Sequence, residues 1–130
     1  MLTYLWIAIG GALGSVARFW LSNVVANRFG DALPWGTIFV NVTGSFLIGI
    51  FASMSGAGGK LSTHADLRQF LVVGICGGYT TFSAFSMQTF DLARTGHWLS
   101  AGGNVLLSVV LCLVATWAGF ALASAFSTSR

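Results

Sequence analysis

Three clusters of polar side chains in this chain are spaced to act together, and all three are uncharged. Thr37, Asn41 and Ser45 recur every four residues in GTIFVNVTGSFLIG, which on a helix places them on one face. Asn104, Ser108, Cys112 and Thr116 repeat that spacing nearer the C-terminus. Their row drifts about 40° per step at 3.6 residues per turn, yet stays on one side. Between these rows, in GICGGYTTFSAFSM at Gly74–Met87, Thr80, Thr81 and Ser83 surround Phe82 and Phe85. An asparagine amide brings two donors and each hydroxyl one, and a phenyl ring is weakly positive at its edge. Donors of this kind suit an anion better than a cation. A small anion loses tens of kcal/mol of solvation in a low-dielectric region, and a hydrogen bond to a charged group returns only ~1.5–3 kcal/mol net. Several donors in succession are therefore needed, none holding the ion too tightly.

Each cluster also has a plain structural reading. Membrane asparagines and hydroxyl rows often clamp one helix to another, and paired phenylalanines often pack or face lipid. Other chemistry finds little support. Asp31, Asp66 and Asp91 fall in loops or at helix ends, and no Asp, Glu, Lys or His lies deep in an apolar run. A cation-coupled transporter needs an ionisable group at depth. There is no nucleophile–base pair, metal-ligand spacing or phosphate loop, so the chain is not read as an enzyme. No nucleic-acid partner is expected.

The elements that must position these residues follow from composition. The chain is 55% hydrophobic and 7% charged, against roughly 25% charged in soluble domains. It reads as an integral membrane protein, a single four-helix transmembrane domain over 1–130 in contact with lipid. Charge-free runs at Met1–Ala17, Ala32–Gly59, Gln69–Phe90 and Thr95–Ser129 mark four crossings, since a ~30 Å hydrocarbon core needs about 20 helical residues. Helices are expected near 2–24, 34–55, 68–91 and 97–123, with both termini on one side. The opening MLTYLW lacks the basic start of a cleavable signal. Cys76 and Cys112 read as ordinary buried thiols, and His64 and His97 as solvated loop residues.

Two features break the apolar pattern. The third run holds Gly74, Gly77 and Gly78 just before its hydroxyls. Glycine weakens a helix by roughly 1 kcal/mol relative to alanine, and a hydroxyl past the weak point can cap the next turn. This predicts a helix broken at mid-membrane, where freed backbone is tolerated only beside protein or a polar cavity; simple tight packing is the alternative. In the first run, Gly10 and Gly14 form a GxxxG, followed at the same spacing by Arg18 and Ser22. Arg18 either lines water or snorkels to a helix end. Lys60, Arg68 and Arg130 would lie on the side of the termini, with Arg28 and Arg94 opposite, joined by Arg18 if it lies near the end of the first helix. Orientation is normally set by a Lys/Arg excess on one side; this near-balance permits insertion both ways.

The sequence resembles the CrcB/Fluc family of dual-topology fluoride channels over essentially its whole length. The motifs are GGALGSVARF at Gly10–Phe19, GTIFVNVTGSFLIG at Gly36–Gly49 and GICGGYTTFSAFS at Gly74–Ser86, one per helix and in order. Tyr79 stands where the family commonly has Phe. The resemblance implies an antiparallel homodimer in the cell membrane, with two narrow pores built from both subunits. It implies fluoride coordination by Asn41, Phe82 and Phe85, a polar path continued by Thr81 and Ser108, and Arg18 near a pore mouth. It further implies a structural Na⁺ at the dimer axis, held by the backbone carbonyls of Gly77 and Thr80. The implied function is passive fluoride export, which lowers cytoplasmic fluoride after hydrogen fluoride has entered as a neutral acid.

Overall fold

The computed structural model describes residues 1–56 and 59–128, so Arg130 and two residues at the start of the 56–67 loop lie outside the described residues. The chain is all-helical. Helix α1 spans Leu2–Phe29 and α2 spans Trp35–Ser55. The third apolar run comprises α3 (Ala65–Gln69), a π-helical stretch (Phe70–Cys76), α4 (Gly77–Tyr79) and α5 (Phe82–Arg94). Helix α6 follows at Trp98–Thr128. Four segments, Leu2–Phe29, Trp35–Ser55, Ala65–Arg94 and Trp98–Phe126, are long and apolar enough to cross a membrane.

Three of the four exceed their expected bounds. Helix α1 runs past residue 24 because SNVVANRF carries no breaker before Gly30, whose φ of 79° ends it. Helix α6 likewise continues past 123, with no proline to stop it. At 28 residues α1 is about 42 Å long at 1.5 Å per residue, more than the hydrocarbon thickness. The helical backbone does not end where the lipid does. Pro34 stands immediately before α2 with φ −77°, its carbonyl accepting from Ile38 N–H at 3.0 Å.

Small residues decide the packing. Helices α2 and α6 make the most extensive contact, and at Gly49 and Gly119 it is backbone against backbone. A Cβ at Gly49 would strike the Thr116 carbonyl, and one at Gly119 the Phe46 carbonyl. Helix α1 meets the π-helical stretch in the same way. A Cβ on Gly10 would stand 2.7 Å from the Phe70 carbonyl oxygen and 3.0 Å from Gly74 Cα. A Cβ on Gly78 would come as close to α1, at 2.5 Å from the Gly11 carbonyl oxygen. Gly74 and Gly78 thus serve close packing against the GxxxG of α1. Large apolar side chains such as Phe19, Trp20, Leu106, Trp117 and Phe126 are exposed, as expected where lipid rather than water is the solvent.

Candidate functional site

The site begins at Thr80 and Thr81, the two extended residues between α4 and α5. Thr80 has φ −86°, ψ 157° and Thr81 φ −151°, ψ 113°. The glycines before them are not the point of departure: Gly77 is still helical at φ −63°, ψ −39°. What holds Thr81 out of the helix comes from α2. Thr81 N–H donates to Asn41 Oδ1 at 2.7 Å, and Asn41 Nδ2 donates to the Thr81 carbonyl at 3.0 Å. The asparagine thus takes both backbone groups of one extended residue, as a neighbouring strand would. Gly44, one turn further along α2, leaves the room this approach needs, since a Cβ there would collide with the Thr80 methyl. Thr43 adds a second tie through its hydroxyl to Tyr79 OH at 2.8 Å, using the hydroxyl that phenylalanine would lack.

Helix α5 then restarts on a side-chain cap. Thr81 Oγ1 accepts from Ala84 N–H at 3.2 Å, the role expected of a threonine at a helix start. Two carbonyls lose their usual donors by these exchanges. In a continuous helix Thr81 N–H would reach the Gly77 carbonyl and Ala84 N–H the Thr80 carbonyl. The first goes instead to Asn41 and the second to Thr81 Oγ1.

Around this segment lies a cavity of about 280 Å³, lined by Asn41, Ser45, Thr80, Thr81, Phe82, Phe85 and Ser108, with Ile48, Val109 and Cys112. No charged residue lines it. Roomier clefts of about 370, 540 and 330 Å³ lie elsewhere; the first is lined by Asp31 and Asp91, the second by Asp66 and the third by Arg68. Carboxylates repel an anion, and a cationic side chain holds one too firmly to pass it on, so the smaller, charge-free cavity is the better match to a permeant anion. Inside it the Phe82 and Phe85 rings sit 5.4 Å apart at 46° to each other, tilted rather than stacked face to face. Phe82 is 79% exposed in the single chain.

Asn41, Thr81, Phe82, Phe85 and Ser108 therefore share one cavity. Arg18 does not line it; it is half-buried on α1. The ion pair found among the described residues joins Arg94 to Asp91 at 3.0 Å. Ser45 and Cys112 also line the cavity, and the four-residue spacing on α2 and α6 was the signal for both. Thr89 and Gln88 carried no such signal. Thr89 accepts from Asn104 at 2.7 Å, while Gln88 Oε1 is buried with no hydrogen-bond partner among the described residues.

Four membrane-length apolar helices, three of which line one uncharged polar cavity, define a multi-pass membrane protein whose polar site lies among its helices. Residues 5–120 match the family described as CrcB-like protein, Camphor Resistance (CrcB). The chain is 52% identical over 127 residues to the fluoride-specific ion channel FluC of Methylocella silvestris, covering 98% of this chain and 97% of that relative. It is 56% identical over 119 residues to the protein of the same name from Opitutus terrae, covering 92% and 90%. The Rhodospirillum rubrum relative, also a fluoride-specific ion channel FluC, is 52% identical over 118 residues, covering 91% and 92%. The chain belongs to the CrcB family.

Proposed function

We propose that the protein is a fluoride-selective channel that lets fluoride leave the cell passively, and that it is not an enzyme. Its relatives are named as fluoride-specific ion channels. The observation that carries the reading to this chain is the charge-free cavity holding Asn41, Thr81, Phe82, Phe85 and Ser108 together. Fluoride there meets ring edges, hydroxyl donors and the amide N–H that Asn41 has left after bonding Thr81. With no cationic side chain lining the cavity, none binds the ion so firmly that it cannot leave.

The working unit is an antiparallel pair of chains in the cell membrane. Near-equal loop charge favours neither orientation, and the exposed Phe82 ring beside the cavity leaves a face for a second copy to complete. The extended Thr80–Thr81 segment is a membrane helix broken at mid-depth, tolerated because Asn41 and a polar cavity satisfy it. The Gly77 and Thr80 carbonyls, deprived of their i+4 donors, fit a cation whose ligands are neutral oxygens. Two copies would offer four such oxygens, a donor set without carboxylate that favours Na⁺ over a divalent ion. The ion's positive charge would stand in for the i+4 donors those carbonyls have lost. Arg18 is assigned to the mouth of the path, outside the cavity itself.

The test is efflux from liposomes carrying the purified protein and loaded with potassium fluoride or potassium chloride, started with a potassium ionophore. Rapid fluoride release with chloride release at the protein-free level is expected. Equal release of both makes the cavity a general anion path, and release of neither removes the channel reading.

A further inference from the structure

Behind the cavity wall, the hydrogen bonds form a chain whose direction is forced at every link. The Phe85 carbonyl can only accept, so the Thr89 hydroxyl must donate to it, at 2.7 Å. With its proton committed, Thr89 Oγ1 must accept from Asn104 Nδ2, also at 2.7 Å. That fixes which end of the Asn104 amide faces which way. Asn104 Oδ1 therefore points at Ser108, whose hydroxyl donates to it at 3.3 Å. Asn104 is fully buried, at 0% exposure, and does not line the cavity, whereas Ser108 does. The last link is the weak one, since hydroxyl–oxygen bonds ordinarily lie near 2.7–2.8 Å.

Resting on the reading of this cavity as the fluoride path, we infer that Asn104, oriented by Thr89, is a positioning residue that sets how strongly Ser108 binds the ion. At rest the Ser108 proton is turned to Asn104, and the cavity faces an oxygen lone pair. An anion arriving in the cavity draws the proton round, breaking only the long bond to Oδ1. Ser108 is thus a donor on demand, and the bond to Asn104 restores its resting direction after the ion moves on. Without Thr89 Oγ1 the amide is free to turn over. Nδ2 then donates to Ser108, whose proton is left permanently toward the cavity, and the ion is held more tightly and released more slowly.

The experiment measures initial fluoride efflux from liposomes against internal fluoride concentration. Thr89→Val keeps the side-chain shape and removes the hydroxyl; Thr89→Ser keeps the hydroxyl and loses a methyl. Thr89→Val should lower both the half-saturating concentration and the maximal rate, each by about fivefold, the scale of one hydrogen bond. Thr89→Ser should match the wild type. In a Ser108→Ala background, Thr89→Val should add nothing, because its effect passes through Ser108. A packing role predicts the reverse order, with Ser the worse substitution and no fall in the half-saturating concentration. Either that pattern or independent, multiplying effects of the two sites overturns the inference. Failure of the reading of this cavity as the path looks different: Ser108→Ala, Phe82→Ile and Phe85→Ile would then all leave fluoride efflux unchanged, and failure of the channel reading itself would leave the wild type without efflux.

Discussion

Asn41 has two claims on its amide. Its oxygen and one N–H hold Thr81, and one N–H remains. Asn41→Asp keeps the shape and the acceptor for Thr81 N–H but sets a carboxylate oxygen against the Thr81 carbonyl. The unsatisfied carbonyl alone costs about 1–3 kcal/mol. The expected result is a folded protein that melts at lower temperature in detergent and conducts no fluoride. Phe82→Ile and Phe85→Ile separate the ring edge from its bulk. Apolar swaps of similar size usually cost under ~1.5 kcal/mol even in a packed core, and Phe82 is largely exposed in the single chain, so packing alone predicts active protein. If the rings present their edges to fluoride, each variant assembles normally while efflux falls at least about tenfold, the equivalent of ~1.4 kcal/mol. Wild-type efflux in all three variants would mean these residues are scaffold.

At the scale of elements, glycines divide into those that are touched and those that are not. Helices α2 and α6 approach through Gly49 and Gly119, where any side chain would meet a carbonyl of the opposite helix. Gly102, by contrast, has nothing within 4 Å of the position its Cβ would take. Gly49→Val should therefore force the two helices apart and yield aggregated protein on size-exclusion chromatography in detergent. Gly102→Ala should elute as the wild type does, with stability unchanged or raised by up to ~1 kcal/mol from the better helix former. Equal tolerance of both would mean that α2 and α6 do not pack as described. The same distinction explains Gly74 and Gly78, which the sequence suggests as helix breakers. They sit in continuous helical turns because α1 needs their surfaces.

For the whole molecule, the decisive quantity is the small difference in Lys/Arg count between the two sides. Helix ends place Arg28 and Arg94 at one end of the bundle, with Lys60 and Arg68 at the other. Where the counts nearly balance, one sequence should insert in both orientations, and a C-terminal reporter should be found on both faces of the membrane. Two lysines added to the 56–67 loop should drive insertion one way. Fluoride efflux per mole should then fall, because antiparallel partners become scarce. A wild-type reporter confined to one face would exclude the antiparallel pair.

Sequence alone determined whatever depends on one residue's own transfer energy or on spacing along one helix. Four charge-free runs mark four membrane-length helices, since burying a charge in hydrocarbon is costly wherever it falls. Of the i+4 rows, Asn41 and Ser45 on α2 and Ser108 and Cys112 on α6 line the cavity, whereas Thr37 lines another cleft and Asn104 is buried behind the wall. The family motifs were equally local. What only the tertiary structure decided is how distant groups compete for the same hydrogen bond. The departure from helix falls at Thr80 and Thr81, not at the glycines, because Asn41, forty residues away, takes both backbone groups of Thr81. Thr89 gained its place from Asn104 across two helices, a pairing that no periodicity within either helix encodes. Arg18 was singled out for its apolar flanks, yet flanks give depth and not direction, and from α1 it does not line the cavity. Spacing fixes which residues share a face; only packing chooses the partner each face receives.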